Sequence, residues 1–253
     1  MAIDKISGKA YADIDAVSGV ATSGIKKISA VTAPSGIVTA NLRNKYTPSN
    51  YSGTGALLDE IGSQNISISG ATYSSTQPAH FDFDGVNDYG GSSTASWSPS
   101  DLSVGWWFNQ DTISGIQVQA SLYGGSYTQG LFPYTYSVVG ARARWTNASN
   151  QFTETTYFSR SAFPLNQWVY IGVSRNNSTA KMNLYIGTSS GLTQYVTNFS
   201  TTSASTFTNS WVVYGSPDYP FNGSLGDYHI YNSVLSTAEW TQNFNAQKAY
   251  YGL

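Results

Sequence analysis

The feature that most constrains this chain is a succession of short alternating segments, broken by turn residues, with almost no helical pattern between them. Val169-Tyr170-Ile171-Gly172-Val173 shows the alternation cleanly. The candidate strands are Asn65–Ser69, Ala79–Phe83, Leu102–Asn109, Gln117–Tyr123, Tyr134–Trp145 and Gln151–Phe158. Further on come Trp168–Ser174, Met182–Ile186, Leu192–Thr197, Trp211–Tyr214 and Leu225–Tyr231. Turn residues separate them at Gly124-Gly125, Asn176-Asn177-Ser178, Ser190-Gly191 and Asn222-Gly223, Asn-Gly being a strong hairpin signal. Strands at this spacing predict an all-β chain, a two-sheet sandwich or jelly roll. One helix is expected near the end. Ser236-Thr237-Ala238-Glu239 reads as a capping box. Trp240 and Phe244, four apart, then share one face of a helix from Thr237 to about Lys248.

The first 33 residues read differently. They hold an 11-residue repeat in which Ile3, Ile14 and Ile25 are in register, as are Ile6, Val17 and Ile28. Ser7, Ser18 and Ser29 follow in each unit. An 11-residue period also suits a right-handed helical supercoil. Ser-Gly pairs and β-branched residues are poor in helices, so short strands with a turn in each unit fit better. Three such units cannot enclose a core, and repeats of this kind stabilise by stacking on neighbours. The segment is therefore expected to dock on copies of itself or on another protein. The plainer alternative is a loose leader with chance similarity. Ala33-Pro34-Ser35-Gly36 reads as a linker, so the expected division is residues 1–36 and residues 37–253.

Composition narrows the function. Only 10% of residues are charged and the formal net charge is −2, which argues against a nucleic-acid footprint and a polybasic membrane contact. With 7 Trp, 19 Tyr and 11 Phe, the chain has ample material for a packed core. The absence of cysteine excludes disulfides and thiolate metal sites. Lys5 and Lys9 are not followed by an apolar stretch, so no secretory signal is expected.

Four stretches resemble, in order, the concanavalin A-like jelly roll of the laminin-G-like type. They are Phe81-Asp82-Phe83-Asp84-Gly85-Val86-Asn87-Asp88-Tyr89, then Leu102-Ser103-Val104-Gly105-Trp106-Trp107-Phe108. Next comes Asn166-Gln167-Trp168-Val169-Tyr170-Ile171-Gly172-Val173, continuing to Lys181-Met182-Asn183-Leu184-Tyr185-Ile186-Gly187. The last runs from Phe221-Asn222-Gly223 through Asp227-Tyr228-His229-Ile230-Tyr231 to Leu235-Ser236-Thr237-Ala238-Glu239. The resemblance implies a lectin-like sandwich over residues 37–253. The repeat followed by such a domain is also similar to small virion proteins of tailed bacteriophages. That similarity implies a head decoration protein or a neck or tail appendage, located on the virion. Its partners would be other virion proteins and copies of itself as a homo-oligomer, with a cell-surface glycan as a further partner. Ile3, Ile6, Ile14, Val17, Ile25 and Ile28 would be the anchoring residues. The rival reading is a carbohydrate-binding module for polysaccharide, and a third is a polysaccharide hydrolase.

Catalytic patterns are scarce. Retaining glycoside hydrolysis needs two carboxyls close together. The three glutamates, Glu60, Glu154 and Glu239, have no carboxylate two or four residues away. His80 and His229 are the two histidines, and no Gly-x-Ser-x-Gly elbow occurs. The expectation is a protein that is not an enzyme and needs no cofactor. Calcium is the one ion weighed. Asp82, Asp84, Asn87 and Asp88 crowd one short loop, and Asp227 lies on a strand where the family often carries acids. The preferred alternative is that Asp84 and Asn87 simply shape a turn, through side-chain bonds to backbone. For glycan contact the candidates are loop aromatics: Tyr123, Tyr127, Tyr134, Tyr219 and Phe221. Exposed tyrosines serve protein contact equally well. Trp106, Trp168 and Trp211 are expected in the core. Strand alternation lets only one of Trp106 and Trp107 face inward, leaving the other to solvent, a partner or the helix.

Overall fold

The structure is a computed structural model that describes residues 16–17, 20–21, 36–92, 95–97, 101–112, 115–124, 129–136, 140–146, 152–154, 163–201, 207–216 and 218–253. The chain divides into two compact units, Met1–Ser35 and Gly36–Leu253. In the first, β1 (Ala16–Val17) and β2 (Val20–Ala21) pair antiparallel. Val17 lies in β1, while Ile3, Ile6, Ile14, Ile25 and Ile28 lie outside the described residues.

The strands of the second unit are β3 (Leu42–Tyr46), β4 (Ile66–Ser69), β5 (Thr72–Ser74), β6 (His80–Asp84), β7 (Tyr89–Ser92), β8 (Ala95–Trp97), β9 (Leu102–Gln110), β10 (Ile116–Gln117) and β11 (Ala120–Gly124). They continue with β12 (Gln129–Tyr136), β13 (Gly140–Thr146), β14 (Phe152–Glu154), β15 (Trp168–Asn176), β16 (Lys181–Thr188), β17 (Gly191–Ser200), β18 (Phe207–Tyr214) and β19 (Asn222–Tyr231). Helix α1 (Thr237–Gln247) follows. One sheet runs β17-β16-β15-β9-β19-β6-β5, with β3 also on β19. The other runs β14-β13-β12-β11-β18-β7-β4, with β10 on β12 and β8 on β18. All these pairings are antiparallel. The result is a two-sheet jelly-roll sandwich with α1 as a third layer.

Two apolar clusters hold the layers together. Between the sheets lie Phe81, Phe83, Trp106, Phe108, Ile171, Leu184 and Tyr228, with Leu122, Val212 and Tyr214 from the far sheet. Between the first sheet and α1 lie Trp107, Tyr170, Tyr185, Tyr231, Trp240, Phe244 and Tyr251. Layers on both faces leave β9 buried along almost its whole length. Alternation sends Val104, Trp106 and Phe108 to the inter-sheet core and Trp107 to the helix, so both adjacent tryptophans are fully buried.

The capping box forms as the sequence predicts. Ser236 Oγ accepts from the Glu239 amide at 3.3 Å, and Glu239 Oε2 accepts from the Ser236 amide at 2.7 Å. The helix is further pinned by Trp240 Nε1 donating to Ser174 Oγ at 2.8 Å. Among the described residues, no helix is long and apolar enough to cross a membrane.

Three sequence expectations are corrected. Asn222-Gly223 is not a turn but the start of β19. Gly223 has φ +142°, and a Cβ there would stand 2.1 Å from the Asn109 carbonyl oxygen, so glycine serves close strand approach. The expected strand Tyr134–Trp145 is two strands, β12 and β13, paired antiparallel. The connecting Ser137-Val138-Val139 carries little turn chemistry, which hid the break. Gln117–Tyr123 divides between β10 and β11.

Candidate functional site

The expected aromatic site does not assemble. Phe221 is 0% exposed and packs between the rings of Phe83 and Phe108, each 6.3 Å away. It belongs to the inter-sheet core, because the chain enters β19 directly after it. Tyr123 and Tyr134 lie in strands β11 and β12 rather than in loops, and Tyr127 lies outside the described residues. Tyr219 is the one candidate with a described exposed side chain, 43% open.

The acidic candidates do not converge either. Asp84 Oδ1 accepts from the Val86 amide at 2.8 Å, and Asp88 Oδ2 accepts from the Asp84 amide at 2.9 Å. These bonds shape the β6–β7 turn. Asp84 pairs with Asn222 at the start of β19, so Asp227, five residues on, sits about 17 Å along the strand. There its backbone amide donates to Tyr251 Oη and its carboxylate accepts from Gln247 Nε2, beneath α1. Burial pushes its carboxyl up to about 7, opposed by the Tyr251 and Gln247 hydrogen bonds. Asp84, Asn87, Asp88 and Asp227 are thus two separate places. Among the described residues no group of three or more His, Cys, Asp or Glu has metal-holding geometry. The residues do not fit a calcium site. His229, two positions beyond Asp227, is fully buried, and desolvation lowers its imidazole to about 3.

A different constellation forms on the outer face of the first sheet, beside the end of α1. The register aligns Trp168 of β15 with Asn109 of β9, Asn109 with Ser224 of β19, Ser224 with Asp82 of β6, and Asp82 with Thr72 of β5. The row crosses five strands, about 19 Å at ordinary strand spacing. Alternation explains its direction. Val169, Phe108, Leu225, Phe81 and Phe83 next to these positions fill the inter-sheet core, so the row faces away from it. Asp82 and Thr72 are exposed, Trp168 and Asn109 partly buried. A second row lies beside it. Asp111 donates its amide to the Asn222 carbonyl at 3.1 Å, and Asn222 Nδ2 donates to the Asp84 carbonyl at 2.9 Å.

This platform is polar and acidic, with an aromatic end. Ser224 Oγ donates to Asp82 Oδ1 at 2.7 Å, and His80 Nε2 lies 3.2 Å from the same oxygen. The other ring nitrogen of His80 faces the Pro78 carbonyl. Burial and the nearby Asp82 charge raise the Asp111 carboxyl, partly offset by His80. The Trp168 ring meets His80 edge-on at 5.7 Å and Tyr251 at 4.8 Å. Tyr250 Oη accepts from the Ala79 amide at 2.9 Å, so the C-terminal turn closes one side. Among the described residues, Asn109 Oδ1 has no hydrogen-bond partner, and it is shielded from solvent. Sequence reading placed Trp168 in the core. Its position in β15 puts it on the helix-side face instead, partly open. The usable signal was His80-x-Asp82-x-Asp84, polar residues alternating with Phe81 and Phe83.

The comparisons fit the fold. The profile described as the Concanavalin A-like lectin/glucanases superfamily matches residues 83–239. Among solved structures, a Trypanosoma rangeli sialidase in complex with sialic acid superposes with a TM-score of 0.62 at 12% identity, over 84% of this chain and 34% of its own. The binding domain of a botulinum neurotoxin DC in complex with SialylT gives a TM-score of 0.61 at 14% identity, over 81% of this chain and 51% of its own. The chain thus spans about a third to a half of these structures. No curated protein sequence matches. The sialidases correct the expectation that the chain is not an enzyme: enzymes carry this fold, so neither the fold nor the missing glutamate pairs exclude one. The sheet order, the capped C-terminal helix and the profile over most of the sandwich agree, and the chain belongs to the Concanavalin A-like lectin/glucanases superfamily.

Proposed function

We propose that the sandwich binds carbohydrate on the platform of Trp168, Asn109, Ser224, Asp82 and Thr72, and that residues 1–36 anchor it to the virion of a tailed phage. The observation that carries the binding reading is the five-strand row itself. A sugar presents apolar C–H faces and a rim of hydroxyls, and it needs an aromatic surface beside fixed hydrogen-bonding groups. Trp168 offers the first; Asn109, Asp82 and Thr72 offer the second on rigid strands. Structures of this shape occur with sialic acid and with SialylT bound, which brings sugars to the reading. The binding test is a glycan panel probed with the full chain and with Asp82→Ala and Asn109→Ala. The reading expects binding that both variants weaken at least about tenfold, or about 1.4 kcal/mol. Binding untouched by both overturns the platform assignment.

The virion reading rests on the repeat: three short units with Ile3, Ile6, Ile14, Val17, Ile25 and Ile28 in register are too few to enclose a core and would stabilise by stacking on a neighbour. Docking by strand pairing suits such units. Many displayed copies would turn weak sugar binding into adhesion by avidity. Virions stripped of the protein should rebind the full chain and not a chain lacking residues 1–36. Equal rebinding of both overturns the anchor.

A further inference from the structure

We infer that the platform selects sugars without a carboxylate and turns sialylated or uronic-acid sugars away, a specificity that rests on the carbohydrate-binding reading above. The argument is the charge inventory of the two rows. Asp82 and Asp84 project from the same face of β6, and Asp111 lies close enough to Asp82 to feel its charge. Ionised carboxylates only accept hydrogen bonds, and sugar hydroxyls are their natural donors. A carboxylate on the ligand would face like charge with no compensating donor fork.

The usual anchor for a ligand carboxylate is an arginine, and the described arginines stand elsewhere. Arg175 pairs with Leu102, seven residues along β9 from Asn109. Arg43 precedes Asn44, which pairs with Ile230 at the far end of β19. Arg142 and Arg144 belong to the other sheet. Lys248, the C-cap of α1, lies 5.7 Å from the centre of the Phe244 ring. Among the described residues, the basic group inside the platform is His80, which already faces Asp82 and the Pro78 carbonyl. This specificity runs against the sialylated ligands of the structures that share the fold, and it follows from this chain's own residues.

The test uses matched pairs of probes that differ only in charge: lactose against 3′-sialyllactose, and methyl-esterified against free oligogalacturonate. The full chain and the double variant Asp82→Asn/Asp111→Asn are titrated with each. Both side chains sit at the surface, and asparagine at 82 keeps an acceptor for Ser224, so the variant retains the fold. In every pair that binds, the neutral member is expected to bind about tenfold tighter, as like charges at contact distance imply. The contrast should shrink in the double variant, and also near 1 M salt, where the screening length is about 3 Å. A charged member binding as tightly as its neutral partner, or a contrast unchanged in the double variant, overturns the specificity while leaving sugar binding intact. No binding by any neutral probe overturns both the specificity and the carbohydrate reading.

Discussion

Trp240 closes on Gly172 so tightly that a Cβ there would stand 2.8 Å from the indole Cε3. Gly105 on the neighbouring strand is in the same position, 2.7 Å from Cζ3. The two glycines, opposite each other across β15 and β9, form the floor on which the helix lies. Gly172→Ala is therefore expected to destabilise the sandwich by about 1–3 kcal/mol, the usual cost of overpacking. Gly91→Ala, with nothing within 4 Å of its Cβ, serves as the control and should be near neutral. Urea unfolding of the two variants checks the difference.

A second prediction concerns two buried titratable groups on the helix side of β19. Asp227 is raised to about 7 from an ordinary 3.8, so the folded state holds its proton more tightly than the unfolded chain. Its contribution is fully present below about pH 4 and is lost as pH rises towards 7, at up to about 1.4 kcal/mol per pH unit. His229 is lowered to about 3 from 6.5, so its contribution is present above about 6.5 and is lost as pH falls towards 3. The slopes oppose one another between about pH 4 and 6.5. Asp227→Asn should leave a stability that rises with pH there, and His229→Gln one that falls. Unfolding free energies at several pH values separate the two.

The correction at residue 221 gives a third. Phe221 has no exposed surface, so Phe221→Ala should cost about 3–5 kcal/mol, the range for a large buried aromatic. Tyr219→Ala, two residues away and 43% exposed, should cost little. Thermal unfolding of the pair checks the assignment.

These residues also show what the sequence makes legible. Strand alternation and the Ser236–Glu239 capping box are local patterns, so the sandwich and the position of its helix could be read directly. The turn-shaping role of Asp84 was equally local, while its partner there is Asp88 and not the Asn87 that the sequence suggested. Phe221 and Asn222-Gly223 misled because a strand start and a turn use similar residues, and only the partner strand β9 decides between them. The platform was hidden for a different reason. Trp168, Asn109, Ser224, Asp82 and Thr72 come from five separated strands, and only pairing register brings them into one row. The alternation of His80, Asp82 and Asp84 marks one outward face; it does not reveal what stands beside it.

The most direct measurement maps a bound neutral oligosaccharide onto the protein by amide and indole NMR shifts. The account predicts that the largest changes fall on Trp168, Asn109, Ser224, Asp82 and Thr72, with the Trp168 indole among them. Binding whose shift changes fall around Tyr219 or on the outer face of the other sheet, leaving this row unmoved, would contradict it.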